Sequence, residues 1–289
     1  MASDVSHGHH YFVPNPSRYP VVLAASLFFL ASGFIFSING IDAGRWMMFA
    51  GTAGVLYVLF GWFGAVISES EGGSYKQWED RSFRLGMVWF IGSEVMFFAA
   101  FFGALFYVRQ ISVPELGSYT GSYDPAVNLW PGYAGGWPTS GPGGEAFNPM
   151  AAWGLPAINT AILLLSGATI TWAHWGLLKN NRSQLIIGMF MTVALGLAFL
   201  YLQAVEYHHA YTELGLTLGS GAYGATFFML TGFHGFHVTL GTIMLIVILL
   251  RCMKGHFKPD HHFAFEGVAW YWHFVDVVWL LLFVLVYWL

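Results

Sequence analysis

Leu85–Val108 reads LGMVWFIGSEVMFFAAFFGALFYV, an apolar run held between Arg84 and Arg109 and interrupted by a single acid, Glu94. At about 1.5 Å rise per residue, such a run crosses the ~30 Å hydrocarbon core of a bilayer, and Glu94 falls roughly 15 Å from Arg84, near the midplane. A carboxylate is costly to keep ionised there, so Glu94 is expected to be held neutral, to have partners, or to handle protons. The rest of the chain has the same character. It is 289 residues long, 56% hydrophobic and only 9% charged, whereas a soluble domain carries about 25% charged residues. That deficit makes it a polytopic membrane protein. The net charge of −4 argues against a nucleic-acid partner. The lone Cys252 excludes an internal disulfide and any CxxC motif. The N-terminal MASDVSHGHHYFVPNPSRYP has no basic n-region and no small-residue cleavage site. It reads as a polar segment (1–18) followed by a retained first helix.

Seven runs are long enough to span: Val21–Ile38, Trp46–Ser68, Leu85–Val108, Ile158–Leu178, Leu185–Gln203, Ala222–Leu250 and Phe265–Leu289. The fourth and fifth are joined only by KNNRS and are expected to be antiparallel neighbours. With the N-terminus in the cytoplasm, nine of the eleven Lys and Arg residues fall on cytoplasmic segments, and only Arg45 and Arg109 lie outside. This positive-inside bias puts the C-terminus on the outer face. Residues 69–84 then form a cytoplasmic loop. The long outer connection, 109–153, contains PGYAGGWPTSGPGG; it reads as flexible filler or as a docking surface. No internal repeat and no matched pair of broken helices of the transporter kind is visible. The glycine pairs Gly51 and Gly54, Gly61 and Gly64, and Gly232 and Gly235 would permit close helix approach, as would the small and hydroxyl-bearing stretch SGATIT.

Several polar residues fall within the spans. His234 and His237 are spaced i, i+3 and share one helix face. They read as metal ligands or as hydrogen-bonded packing residues. His208–His209 beside Glu206 and His261–His262 lie near helix ends. His273 and Asp276 are also i, i+3 and can pair, either structurally or as a proton relay. Trp270 and Trp272 read as interface residues whose indole N–H groups reach headgroups. Glu69, Arg84 and Arg251 at the cytoplasmic helix ends, with Trp62, are candidates for phospholipid contact, against simple snorkelling.

Taken together, PNPSRYP, FIGSEVMFF, PAINTAILLLSGATITWAHW, LQAVEY, ATFFMLTGFHGFHVTLGTI and HHFAFEGVAWYWHFVDVVWLLLFVLVYW resemble subunit III of the haem–copper cytochrome c oxidases of bacterial and mitochondrial type. The resemblance runs nearly end to end and is weakest in the outer loop. It implies an all-α, seven-helix membrane subunit split two plus five around a lipid-filled cleft, with no haem, copper or other metal of its own. Haem a and copper are expected in partner subunits I and II, and phospholipid in the cleft. Such a subunit is not the catalyst; it supports proton uptake into subunit I and protects the active site from turnover-linked inactivation. The family's carbodiimide-reactive acid falls on Glu94, and its lipid-cleft residues fall on Trp62, Glu69 and Arg251. His273 and Asp276 become a structural pair.

One departure lies around Glu69. Relatives often carry basic residues before this position and His with Thr-Pro after it, whereas here the segment reads GAVISESEGGSYKQWED. The expected whole is an aa3-type oxidase of a bacterial inner membrane that takes electrons from cytochrome c, reduces O2 to water and pumps protons. A quinol oxidase subunit III or nitric oxide reductase accessory protein is the nearest alternative, although many of those lack the first two helices. A stand-alone proton-coupled transporter using Glu94 and Asp276, and a membrane haem or di-iron enzyme, are readings of other classes.

Overall fold

The computed structural model describes residues 12, 14–118, 130 and 132–289. Among the described residues, seven helices are long and apolar enough to cross a membrane: α1 Tyr19–Ile38, α2 Ala43–Glu71, α3 Gln77–Ser118, α4 Leu155–Leu178, α5 Arg182–Thr212, α6 Gly221–Lys254 and α7 Phe263–Trp288. The only β pairing among them is an isolated bridge between Lys258 and His261. The all-helical, polytopic architecture expected from hydropathy is the one observed.

The helices outrun their apolar cores. α3 starts at Gln77 with Glu79 and Asp80 in its first turn, where acidic side chains oppose the positive end of the helix dipole. The connection expected over 69–84 therefore shrinks to 72–76. At its other end α3 passes Val108 through a π-helical turn, Val108–Ser112, into a last α-turn, Val113–Ser118. The first ten residues of the expected outer loop are thus helix. Pro114, which has no N–H to give to the helix ladder, comes just after the π-helical turn. Hydropathy marks only the apolar part of a helix, while the backbone continues until something breaks it.

The chain divides into two compact units, residues 1–83 and 84–289. In the first, α1 and α2 form a hairpin whose contact face is glycine. A Cβ on Gly33 would stand 2.6 Å from the Met48 nitrogen, one on Gly44 2.4 Å from the Ser37 nitrogen, and one on Gly51 2.6 Å from the Leu30 nitrogen. Backbone approaches backbone at these points, the close packing on which helix pairs depend in lipid, where apolar burial supplies no drive. Gly54 and Gly61 lie under Ser26 and Tyr19 respectively. Of the other anticipated glycines, Gly64 and Gly235 meet nothing and Gly232 makes only ordinary contact.

In the second unit, α4 and α5 are close neighbours across a turn at Lys179–Asn181, as KNNRS suggests. Gly188 lies against the Ala173 backbone and Gly176 against the Leu185 nitrogen. The Asn181 side chain caps α5, accepting from the Gln184 N–H at 3.2 Å. α5 packs on α6, α6 on α7, and α7 back on α4. α3 attaches differently. Its Gly86, Gly92 and Gly103 meet nothing, and large rings bridge the gap instead: Phe98 lies 5.0 Å from His237 and 6.1 Å from Phe274, and Phe97 lies 5.1 Å from Phe233, between ring centroids.

Trp272 corrects the interfacial reading. It is fully buried, and its Nε1–H donates to Ser166 Oγ at 2.8 Å. Residues two apart on a helix point in nearly opposite directions, so Trp270 and Trp272 cannot both face lipid. The outer segment is also not filler where it is described. The Tyr223 N–H donates to the Thr139 carbonyl at 3.1 Å and the Asn148 N–H to the Leu214 carbonyl at 2.9 Å. Phe147 stacks on Tyr223, and Met150 is buried. Residues 119–129 and 131 of that segment, and 1–11 and 13 of the N-terminal one, lie outside the described residues.

Candidate functional site

Glu94 is not isolated. Its Oε2 lies 3.0 Å from His237 Nε2, and both side chains are largely buried. The other ring nitrogen, Nδ1, lies 2.7 Å from the Phe233 carbonyl and must donate to it, because a carbonyl only accepts. With Nδ1 carrying a hydrogen, the contact to Glu94 needs one more proton, on either Nε2 or the carboxyl. The pair therefore holds one proton in two ways, as carboxyl with neutral imidazole or as carboxylate with imidazolium. Both are net neutral, which answers the problem of an acid in an apolar helix. Phe97, Phe98, Tyr271 and Phe274 surround the imidazole, so its orientation is set by packing.

His234, one turn before His237, donates through Nε2 to the Val275 carbonyl at 3.2 Å and is enclosed by Phe199 and Trp279. The i, i+3 face is real, but the two rings serve different neighbours rather than one ligand. His273 Nδ1 and Asp276 Oδ2 stand 3.7 Å apart, with Asp276 buried and His273 half-exposed. Thr171 Oγ1 is 3.4 Å from His273 Nε2. The SGATIT stretch faces this group: a Cβ on Gly167 would come within 2.5 Å of Asp276 Oδ2. Its Thr169 hydroxyl is 2.8 Å from that of Thr192 on α5.

Three of the four lipid-contact candidates have these settings. Trp62 is 41% exposed and stacks on Tyr19 at 6.2 Å. Glu69 accepts from the Tyr75 hydroxyl at 2.5 Å. Burial, and then the proton's hold by Glu69 together with the carboxylate charge, push that hydroxyl well above its ordinary value, so Tyr75 stays a donor at physiological pH. In the last turn of α6, Arg251 lies over the Phe257 ring at 4.6 Å.

Two acids escaped the sequence reading. Glu206, noted only as a neighbour of His208–His209, is fully buried in α5 and accepts from the Tyr287 hydroxyl at 2.6 Å. Glu266 on α7 receives Arg84 of α3 on Oε2. Its Oε1 faces His262 Nε2 at 3.0 Å and His174 Nε2 at 3.7 Å. The signal was present as H-x-x-x-E over 262–266, an i, i+4 pair on one helix face. What no spacing shows is that α4 and α3 bring His174 and Arg84 to it.

The family model for cytochrome c oxidase subunit III matches residues 9–289. The chain belongs to the cytochrome c oxidase subunit III family. It is 41% identical over 283 residues to cytochrome c oxidase subunit 3 of Hippopotamus amphibius, and 40% identical over 288 residues to that of Dugong dugon. The protein of Balaenoptera musculus is 40% identical over 283 residues, and each alignment covers 97% of both chains. The expected subunit III identity is thereby met, with seven spans and both helices of the first unit inside the match. The two histidines of α6 are engaged in packing and hydrogen bonds with neighbouring helices. His237 has both ring nitrogens engaged, and His234 is enclosed by aromatic rings with its Nε2 on a carbonyl.

Proposed function

We propose that this chain is the non-catalytic core subunit III of a proton-pumping, aa3-type cytochrome c oxidase that reduces O2 to water. The proposed setting is a bacterial inner membrane, with the N-terminus cytoplasmic and the C-terminus periplasmic. The observation that carries this reading is the match over residues 9–289. The nine-to-two division of basic residues supports the orientation. The presence of α1 and α2 favours the cytochrome c branch over quinol-oxidase relatives that lack them.

In this role the chain packs against subunit I, with subunit II in the same complex and cytochrome c as the donor to the whole. Haem a and copper, carried by the partner subunits, supply the redox chemistry. Trp62, Glu69 and Arg251 contact phospholipid; the exposed indole and the helix-end guanidinium suit acyl chain and phosphate respectively. Glu94 and His237 support proton uptake by holding one proton without net charge inside the apolar helices.

The test is a mild-detergent pull-down through a tag on this chain, followed by a reduced-minus-oxidised spectrum. Haem a bands with co-eluting subunits I and II are expected. A colourless, metal-free protein that purifies alone after gentle extraction and lipid supplementation would instead favour a transporter. A dinuclear copper centre in subunit II separates the cytochrome c branch from the quinol branch. In the assembled complex, Glu94→Ala is expected to leave haem content intact. Turnover should fall far less than the roughly 100-fold or more that follows removal of a general acid–base group. Complete loss of steady-state activity in an intact, haem-loaded complex would refute a supporting role.

A further inference from the structure

We infer that His174, His262 and Glu266 form a binding site for a divalent cation of the zinc class, tying α4 to α7. One ligand atom from each residue lies within 4.8 Å of the others. The two imidazole-to-carboxylate separations are 3.7 and 3.0 Å. Ligands held at about 2.0–2.1 Å around a tetrahedral zinc stand roughly 3.3 Å apart, and the two values bracket that edge.

The hydrogen bonding points the same way. His262 Nδ1 lies 3.0 Å from the Lys258 carbonyl and so donates to it. In neutral imidazole this leaves Nε2 as a bare lone pair. That lone pair faces a carboxylate oxygen at 3.0 Å, an arrangement that repels unless a proton or a metal cation sits between them. Neither His262 Nε2 nor His174 Nε2 makes a hydrogen bond among the described residues, although both atoms are buried and His262 is only 8% exposed. An outer carbonyl that fixes the tautomer of a ligating histidine is the usual support of a metal site. Two imidazoles and one carboxylate suit zinc, whereas magnesium and calcium favour oxygen alone. Arg84 occupies Oε2 of Glu266 and leaves Oε1 for the cation, with the fourth position open to water.

The alternative occupant is a second proton on His262, making an imidazolium. The test separates the two. The full-length chain, with whatever complex it carries, is treated with chelator, titrated with zinc and analysed for zinc content and by zinc-edge X-ray absorption. The expected result is one more tightly held zinc per chain in the wild type than in His174→Ala or His262→Ala. The bound zinc should show nitrogen and oxygen ligands at about 2.0 Å with imidazole scattering. Each variant should weaken binding by more than the roughly 100-fold that losing an outer partner costs. If the alanine variants fail to fold, Glu266→Gln, which keeps the side-chain volume, serves in their place. Equal zinc in wild type and variants, no tight zinc in the wild type, or bound zinc without imidazole scattering would each overturn the site.

Discussion

Trp272→Ala is expected to destabilise the folded chain by roughly 3–5 kcal/mol, the range for deleting a buried aromatic side chain. Differential scanning fluorimetry in detergent should show this as a large drop in melting temperature. Trp272 is fully enclosed, and two glycines shape its pocket. A Cβ on Gly241 would stand 2.9 Å from the indole and one on Gly196 3.0 Å. Removing the ring leaves a void between α5, α6 and α7 and frees Ser166 Oγ from its 2.8 Å bond. Two further variants apportion the loss. Trp272→Phe keeps most of the volume and removes only the indole donor, since the Ser166 hydroxyl still donates to the Leu163 carbonyl at 2.6 Å; the lost bond should cost about 0.5–1.5 kcal/mol. Gly241→Ala should be harmful alone yet less so beside Trp272→Ala, because the methyl enters the void. Additive losses in that pair would show that the glycine and the ring do not share a pocket.

Glu206→Ala should rank next, at roughly 2–5 kcal/mol, from a small cavity plus a stranded buried hydroxyl. Tyr287 and Glu206 meet at 2.6 Å between α7 and α5, both buried. Glu206→Gln retains an acceptor for the Tyr287 hydroxyl and should lose much less. Tyr287→Phe, which removes the donor along with its need, should fall between the two. The decisive comparison is the double variant Glu206→Ala/Tyr287→Phe, whose loss should be smaller than the sum of the single losses. Thermal unfolding of the four chains checks this. Strict additivity would mean that the bond contributes nothing to stability.

These two sites mark where sequence reading stopped. Glu94 stood out because it interrupts an apolar run. Glu206 did not, because it sits near the polar end of α5 among His208, His209 and Glu213, where an acid looks solvated. Trp272 looked interfacial because a tryptophan near a helix end usually is, and only the packing of α4 beside α7 turned its N–H inward. His174 and Glu266 are 92 residues apart in number and share no pattern, so their meeting is a product of topology.

The sequence by itself determined the class, the seven spans, the family and Glu94 as an acid in need of a partner. These follow from local chemistry: an apolar run of sufficient length must be helical in a bilayer, since its backbone polar groups have no water to bond. Tertiary structure alone decided which polar groups meet. His237 satisfies Glu94, Ser166 receives Trp272, Tyr287 covers Glu206, and Glu266 gathers two imidazoles and Arg84. In lipid the hydrophobic effect does not choose among helix faces. The choice falls to close glycine contacts and to pairings between distant residues, which no single helix can express.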